Sequence, residues 1–142
     1  MGEINKSKRS YNMSKIKGKD TRPELIVRKI LYKKGYRYRL HGTKVIGKPD
    51  IIFEKRKKII FVHGCFWHRH ENCKYSTFPK TNRAFWNKKF DDNIKRDDTV
   101  KKQLLEMGYN VMIIWECQTK DVSSLEAKML EFIGPLKLME KN

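Results

Sequence analysis

Apolar residues along this chain change their spacing several times, and each change marks an expected element. Ile26, Val27, Ile30 and Leu31 recur at helical intervals. Ahead of them, Thr21-Arg22-Pro23-Glu24 combines a hydroxyl cap, a proline in the first turn and a glutamate three residues on, the capping-box pattern. Gly35 supplies the stop. Tyr36 to Leu40 then alternate at period two, as a half-solvated strand does. Two expected strands follow, 50–53 and 58–62, each opening on a charged residue and continuing as an unbroken apolar run, and joined by the charged turn Glu54-Lys55-Arg56-Lys57. Such runs suit central strands covered on both faces.

A loop extends from there to Pro79. Between residues 82 and 107 the helical period returns, marked by Phe85, Trp86, Phe90 and Ile94 and then by Val100, Leu104 and Met107. Gly108 ends that helix, and Val111 to Trp115 reads as another buried strand, delivering Cys117 to its far end. Ser123 or Ser124 caps a last helix with Leu125, Met129, Phe132 and Ile133 inward. The order α-β-β-β-α-β-α predicts an α/β fold, a mixed sheet flanked by helices.

A length of 142 residues suits one domain with a real core, expected over residues 20–142. Residues 1–19 lack periodicity and read as a basic N-terminal arm. They hold no apolar core of a secretory signal, and no stretch approaches the ~20 apolar residues of a membrane span. Three cysteines, an odd count, argue against a disulfide framework and for a reducing cytoplasm. Lys and Arg number 33 against 16 Asp and Glu, a net charge of +17. A field of that size favours a polyanion, and with no basic amphipathic helix to suggest a membrane, nucleic acid is the expected partner.

Candidate chemistry concentrates in residues 62–73, where two cysteines, three histidines and the pair Phe66-Trp67 crowd into twelve positions. Cys65-x4-His70-x2-Cys73 with Cys117 offers three thiolates and an imidazole, a set that tetrahedral Zn2+ favours in closed structural sites. On spacing alone His68 serves as well as His70. Pro49-Asp50 opens one apolar run, and the next run ends at Phe61-Val62-His63. This arrangement resembles the restriction-endonuclease-like core, whose motif is Pro-Asp followed by Glu-x-Lys on the next strand. Here Phe61-Val62-His63 takes the Glu-x-Lys place, so a second carboxylate ligand is missing. Phosphodiester hydrolysis by such a site would need Mg2+ with oxygen borrowed from the main chain or the phosphate, and a histidine as proton acceptor.

The whole pattern resembles the very short patch repair endonucleases, the Vsr family. The matching stretches are Asn12-Met13-Ser14-Lys15-Ile16, Asp20-Thr21-Arg22-Pro23-Glu24, Gly47-Lys48-Pro49-Asp50, Val62-His63-Gly64-Cys65-Phe66-Trp67-His68, Phe85-Trp86, Asn93 with Arg96-Asp97, and Trp115-Glu116-Cys117. That resemblance implies a DNA mismatch endonuclease that nicks one strand beside a thymine-guanine (T:G) mismatch left by deamination of 5-methylcytosine. It implies Asp50 and the Val62 carbonyl as Mg2+ ligands, and His68 as general base. His63 and Glu24 would orient metal-bound waters. Zn2+ would sit among Cys65, His70, Cys73 and Cys117. Phe66, Trp67 and Trp86 are implied as side chains that intercalate beside the mismatch.

Aromatic wedges unstack a base step at a cost of a few kcal/mol, less at a mismatch. Phe85, by contrast, is expected to face the sheet, and Arg96 and Asp97 are expected to form a helix-surface ion pair outside the catalytic set. Implied partners are T:G-containing duplex DNA, mismatch-repair proteins and a functionally linked cytosine-5 methyltransferase, with the enzyme a monomer at the bacterial nucleoid. Two other readings fit the residues: a restriction-like or structure-specific nuclease, and a zinc-stabilised DNA-binding module without catalysis.

Overall fold

A computed structural model describes residues 21–41 and 45–136. The basic arm expected at 1–19 lies outside them. Helix α1 (Arg22–Lys33) starts as its sequence directs: the Thr21 hydroxyl accepts the Glu24 N–H at 3.4 Å, with Pro23 in the first turn. Gly35, at φ +92°, turns the chain out of it. Next come strands β1 (Arg39–Leu40), β2 (Ile51–Phe53) and β3 (Lys58–His63), then helix α2 (Arg83–Glu106) and strand β4 (Asn110–Trp115). A 3-10 turn (Glu116–Lys120) leads into helix α3 (Val122–Ile133).

The sheet runs β1-β2-β3-β4. Its first two pairings are antiparallel, with Leu40 opposite Ile51 and Ile51 opposite Ile60. β3 and β4 are parallel, from Lys58 opposite Asn110 to His63 opposite Trp115, and α2 makes the crossover that a parallel pair requires. Period two splits the central strands between two cores. Ile51, Phe53 and Ile60 meet Val27 and Leu31 of α1 and Leu125, Met129 and Ile133 of α3. Ile52 and Ile59 face the other way, onto Leu104 of α2. The result is three layers, with helices on both faces of the mixed sheet.

Several elements depart from the expected pattern, each for a physical reason. Only Arg39 and Leu40 of the alternating 36–40 segment pair as a strand, and both are exposed. Tyr36 is instead buried against Phe53, and the Tyr38 hydroxyl donates to the Arg28 carbonyl at 3.1 Å. In α2 only Phe90 and Leu104 are buried, whereas Phe85 (59 % exposed), Ile94 and Met107 are not. A helix of 24 residues spans about 36 Å, and the six-residue strands beneath it only about 20 Å, so its ends overhang the sheet. Phe85 therefore does not face the sheet. The cap of α3 is Asp121, whose carboxylate accepts the Ser124 N–H at 3.3 Å, rather than either serine. The charged turn also has structural work: Arg56 donates to the carbonyls of Ile133 (2.9 Å) and Pro135 (2.8 Å). Lys58 reaches the carbonyls of Phe132 and Ile133, so cations sit at the negative end of α3. Among the described residues no helix is long and apolar enough to cross a membrane.

Candidate active site and metal centre

β2 begins and β3 ends at the same edge of the sheet, and a cleft opens there between the N-terminus of α1, the segment after β3 and one face of α2. Its volume is about 1310 Å³, beyond the roughly 300–1,000 Å³ of small-molecule pockets. Arg22 and Lys48 line it, as do Lys89, Arg96 and Lys101 of α2, so its walls suit a polyanion. Gly47 lets the rim pass close to α2: a Cβ there would lie 2.3 Å from Val100 Cγ1, on a backbone already at φ +81°.

Asp50, just ahead of β2, lines this cleft, and its Oδ2 accepts the Val62 N–H at 2.7 Å. Burial pushes its carboxyl up to about 7, helped by a hydrogen bond to Glu24 and by that group's charge. Along a strand, a residue's N–H and C=O point to the same neighbour. Continuing the β2–β3 register beyond Ile51–Ile60 puts Pro49 opposite Val62. Proline has no N–H, so the Val62 carbonyl, on the same side as Asp50, is left for another partner.

Glu24 is 1 % exposed. Its backbone serves the Thr21 cap, while its carboxylate turns inward: Oε2 receives Arg28 Nη2 at 2.6 Å and Oε1 lies 3.1 Å from His41 Nε2. Donor atoms of Glu24, His41 and Asp50 all lie within 4.8 Å of one another.

A second group faces the same cleft. His68 Nδ1 lies 2.7 Å from Asp97 Oδ2, and the His68 ring stacks on His63 at 3.8 Å and 9°. His63 is buried, and burial holds its imidazole down at about 3, with the nearby His68 adding to the effect. Stacked rings direct their lone pairs in parallel rather than at one point, so His63, His68 and Asp97 suit proton handling better than a shared ion. With Nδ1 engaged by Asp97, Nε2 is the His68 atom left to exchange a proton. Asp97 is thus a site residue that sequence reasoning set aside. Its signal lay in the α2 spacing, because Asn93, Arg96, Asp97 and Val100 share the face that lines the cleft. Arg28 had only its i,i+4 spacing from Glu24, and His41 had no local signal.

Cys65, His70, Cys73 and Cys117 come together on the other side of the segment after β3, all donor atoms within 4.8 Å. The Sγ atoms of Cys65 and Cys117 lie 3.7 and 3.4 Å from His70 Nδ1. Sulfur and nitrogen ligands of tetrahedral Zn2+ would stand about 3.6 Å apart, so the donor set fits that ion. Burial pushes the Cys65 thiol up to about 12 and raises that of Cys117 as well. The Cys73 thiol is shifted the other way, down, and a dication would take all three as thiolates. The His70 ring is held flat against Trp115 at 4.2 Å, while His68 is directed away to Asp97.

Phe66, Trp67 and Trp86 form one half-buried cluster, with ring centroids 5.1 Å apart for Phe66–Trp67 and 5.9 Å for each onto Trp86. All three line the cleft. Two anchors hold them. Asn93 Nδ2 donates to the Trp67 carbonyl at 3.2 Å, and the Arg69 guanidinium, 4.1 Å from the centre of the Phe90 ring, donates to the carbonyls of Phe66, Ser76 and Thr77.

Comparison with known proteins bears on all of this. Residues 1–74 match the family model described as DNA mismatch endonuclease Vsr. The type II nicking enzyme V.NmeAIP of Neisseria meningitidis is 39 % identical over 131 residues, which cover 92 % of this chain and 93 % of that protein. V.XorIIP of Xanthomonas oryzae, also a type II nicking enzyme, is 38 % identical over 132 residues, 93 % and 96 % of the two chains. The DNA mismatch endonuclease Vsr of Escherichia coli is 34 % identical over 125 residues, 88 % of this chain and 80 % of that one.

Proposed function

The chain belongs to the Vsr family of DNA mismatch endonucleases, and from that premise we propose that it nicks one strand of duplex DNA beside a T:G mismatch by Mg2+-assisted hydrolysis. One observation carries the reading: the Asp50 group and the His68–Asp97 pair face a single basic cleft. Mg2+, held by Asp50 and the Val62 carbonyl, would supply charge neutralisation at the phosphate and a more acidic water.

The chain's own residues do the rest. His68 Nε2 accepts the proton of the attacking water as the new oxygen–phosphorus bond forms and one ester bond breaks, and Asp97 steadies the imidazolium that results. Glu24, fixed by Arg28 and His41, orients water near Asp50. His63, kept neutral by burial, sets the plane of His68. Phe66, Trp67 and Trp86 wedge into the step beside the mismatch, where unstacking costs least.

The scaffold in this reading is a restriction-endonuclease-like core, supported by Pro49-Asp50 at the head of an antiparallel β2–β3 pair with a parallel β4 beyond it. Structural Zn2+ on Cys65, His70, Cys73 and Cys117 ties the irregular segment after β3 to the turn that carries Cys117. A cytosine-5 methyltransferase would create the bases whose deamination supplies the substrate.

The test is a panel of duplexes carrying T:G, cytosine-adenine or only paired bases, with each strand labelled, with and without Mg2+. A nick in one strand of the T:G duplex, dependent on Mg2+, is the expected result. Equal cutting of all three duplexes defeats the mismatch reading, and cutting of both strands at a paired site favours a restriction-like nuclease. Tight binding without any cleavage would favour a DNA-binding module.

A further inference from the structure

His41 is given no task by the family motifs quoted above, yet it touches two acids, Asp50, which lines the cleft, and the buried Glu24. Its backbone N–H donates to the Asp50 carbonyl at 3.1 Å, the next step of the β1–β2 register. Its ring Nε2 lies 3.1 Å from Glu24 Oε1 and 3.0 Å from Arg28 Nη2, while Arg28 holds the other Glu24 oxygen at 2.6 Å. The residue adopts φ +48°, a conformation that side-chain-bearing residues enter rarely and that persists only where surroundings enforce it. A short polar side chain at a loop tip would not need that arrangement.

The consequence is geometric. Donor atoms of Glu24, His41 and Asp50 lie within 4.8 Å of one another, close enough for the two carboxylates to share an ion or its waters. The chain lacks the second acid of the Glu-x-Lys place, where Phe61-Val62-His63 stands. A substitute close to Asp50 is Glu24, which comes from α1 and so depends on something to fix it against β2.

We propose that His41 is a positioning residue that, with Arg28, clamps Glu24 against Asp50 so that the two carboxylates together seat a divalent cation or its waters. The inference rests on the hydrolytic reading above but not on its T:G preference. His41 then bridges strand and helix: its main chain fixes Asp50, and its ring fixes Glu24.

The test uses full-length protein and three variants. His41→Leu removes the ring contact, His41→Gln keeps an N–H long enough to reach Glu24, and His41→Asn keeps polarity but falls short. Mn2+ binding without DNA is read by electron paramagnetic resonance, with Asp50→Ala as the blank for Mn2+ bound elsewhere. Mg2+ dependence is read from single-turnover nicking of the best-cleaved duplex, and duplex binding from anisotropy in Ca2+.

His41→Leu should need about 10–100-fold more Mg2+ for half-maximal nicking and bind Mn2+ correspondingly more weakly, the usual loss when an outer partner of a metal ligand is removed. Duplex affinity should stay unchanged, and His41→Gln should recover most of the loss. Should the leucine variant fail to fold, the order glutamine above asparagine in Mn2+ affinity still decides the matter. Wild-type Mn2+ and Mg2+ dependence in His41→Leu overturns the proposal. So does a folded His41→Gln no better than His41→Asn. Failure of the mismatch reading shows separately, as equal nicking of all duplexes by the wild-type protein.

Discussion

Replacing Asp50 by asparagine should stabilise the Mg2+-free protein at alkaline pH while abolishing nicking. The side chain keeps its shape: an amide oxygen still accepts the Val62 N–H, and an amide N–H faces Glu24. What changes is the charge. Burial first, then the hydrogen bond and charge of Glu24, raise the Asp50 carboxyl from 3.8 to about 7. A carboxyl raised on folding contributes its full stability below the unfolded value and loses it as pH climbs through the folded value. The rise amounts to about 4 kcal/mol at ~1.4 kcal/mol per unit, an upper bound that the open side of the cleft reduces to about 2. For a chain of this size that is roughly 6 °C in Tm.

Calorimetric melts of both proteins without Mg2+, from pH 5.5 to 8.5, measure it. Asp50→Asn should melt higher at pH 8.5, with the gap closing as pH falls and the wild-type carboxyl takes up its proton. A gap of the same size at every pH, or no gap at pH 8.5, would refute the assignment of a strained, ion-ready acid.

Other consequences follow from the same geometry. Asp97→Asn should slow nicking by about 10²-fold or more with duplex affinity retained, because His68 loses the negative charge that steadies its imidazolium and the acceptor-only partner that fixes its tautomer; an unchanged single-turnover rate would return Asp97 to the surface. His63 is held down at about 3, so its imidazole should stay neutral by NMR titration to pH 4. A histidine depressed in this way contributes stability above its unfolded value near 6.5 and withdraws it as pH falls towards 3, and a His63 midpoint above pH 6 would contradict that environment. Cys117→Ser should lower both bound zinc and Tm, whereas full zinc content with unchanged melting would remove Cys117 from the cage.

Local signals proved legible where the chemistry is local. The Thr21 cap, the paired apolar runs of β2 and β3 and the stop at Gly35 appear where the sequence puts them. Cys65 and Cys73 are near neighbours in sequence and Cys117 followed from the strand that delivers it, whereas spacing left His68 and His70 equal and only the resemblance favoured His70. Residues whose roles depend on tertiary contact were not. Glu24's spacing read as a cap, only the family resemblance gave its carboxylate a second task, and no spacing tied it to His41. Asp97 looked like a surface charge because a helix sequence does not say which polar face borders a cleft. Phe85 and Met107 carried an apolar period beyond the sheet that would have covered them, and only the mismatch in length between α2 and the strands reveals that.

Whether Asp50 and His68 act on one scissile phosphate is decided by single-turnover nicking of a T:G duplex by wild-type, Asp50→Ala and His68→Ala protein at saturating Mg2+. Both variants should bind the duplex as the wild type does and nick it more slowly, His68→Ala by about 10²–10⁴-fold and Asp50→Ala by at least as much. A wild-type rate in either variant would contradict the account.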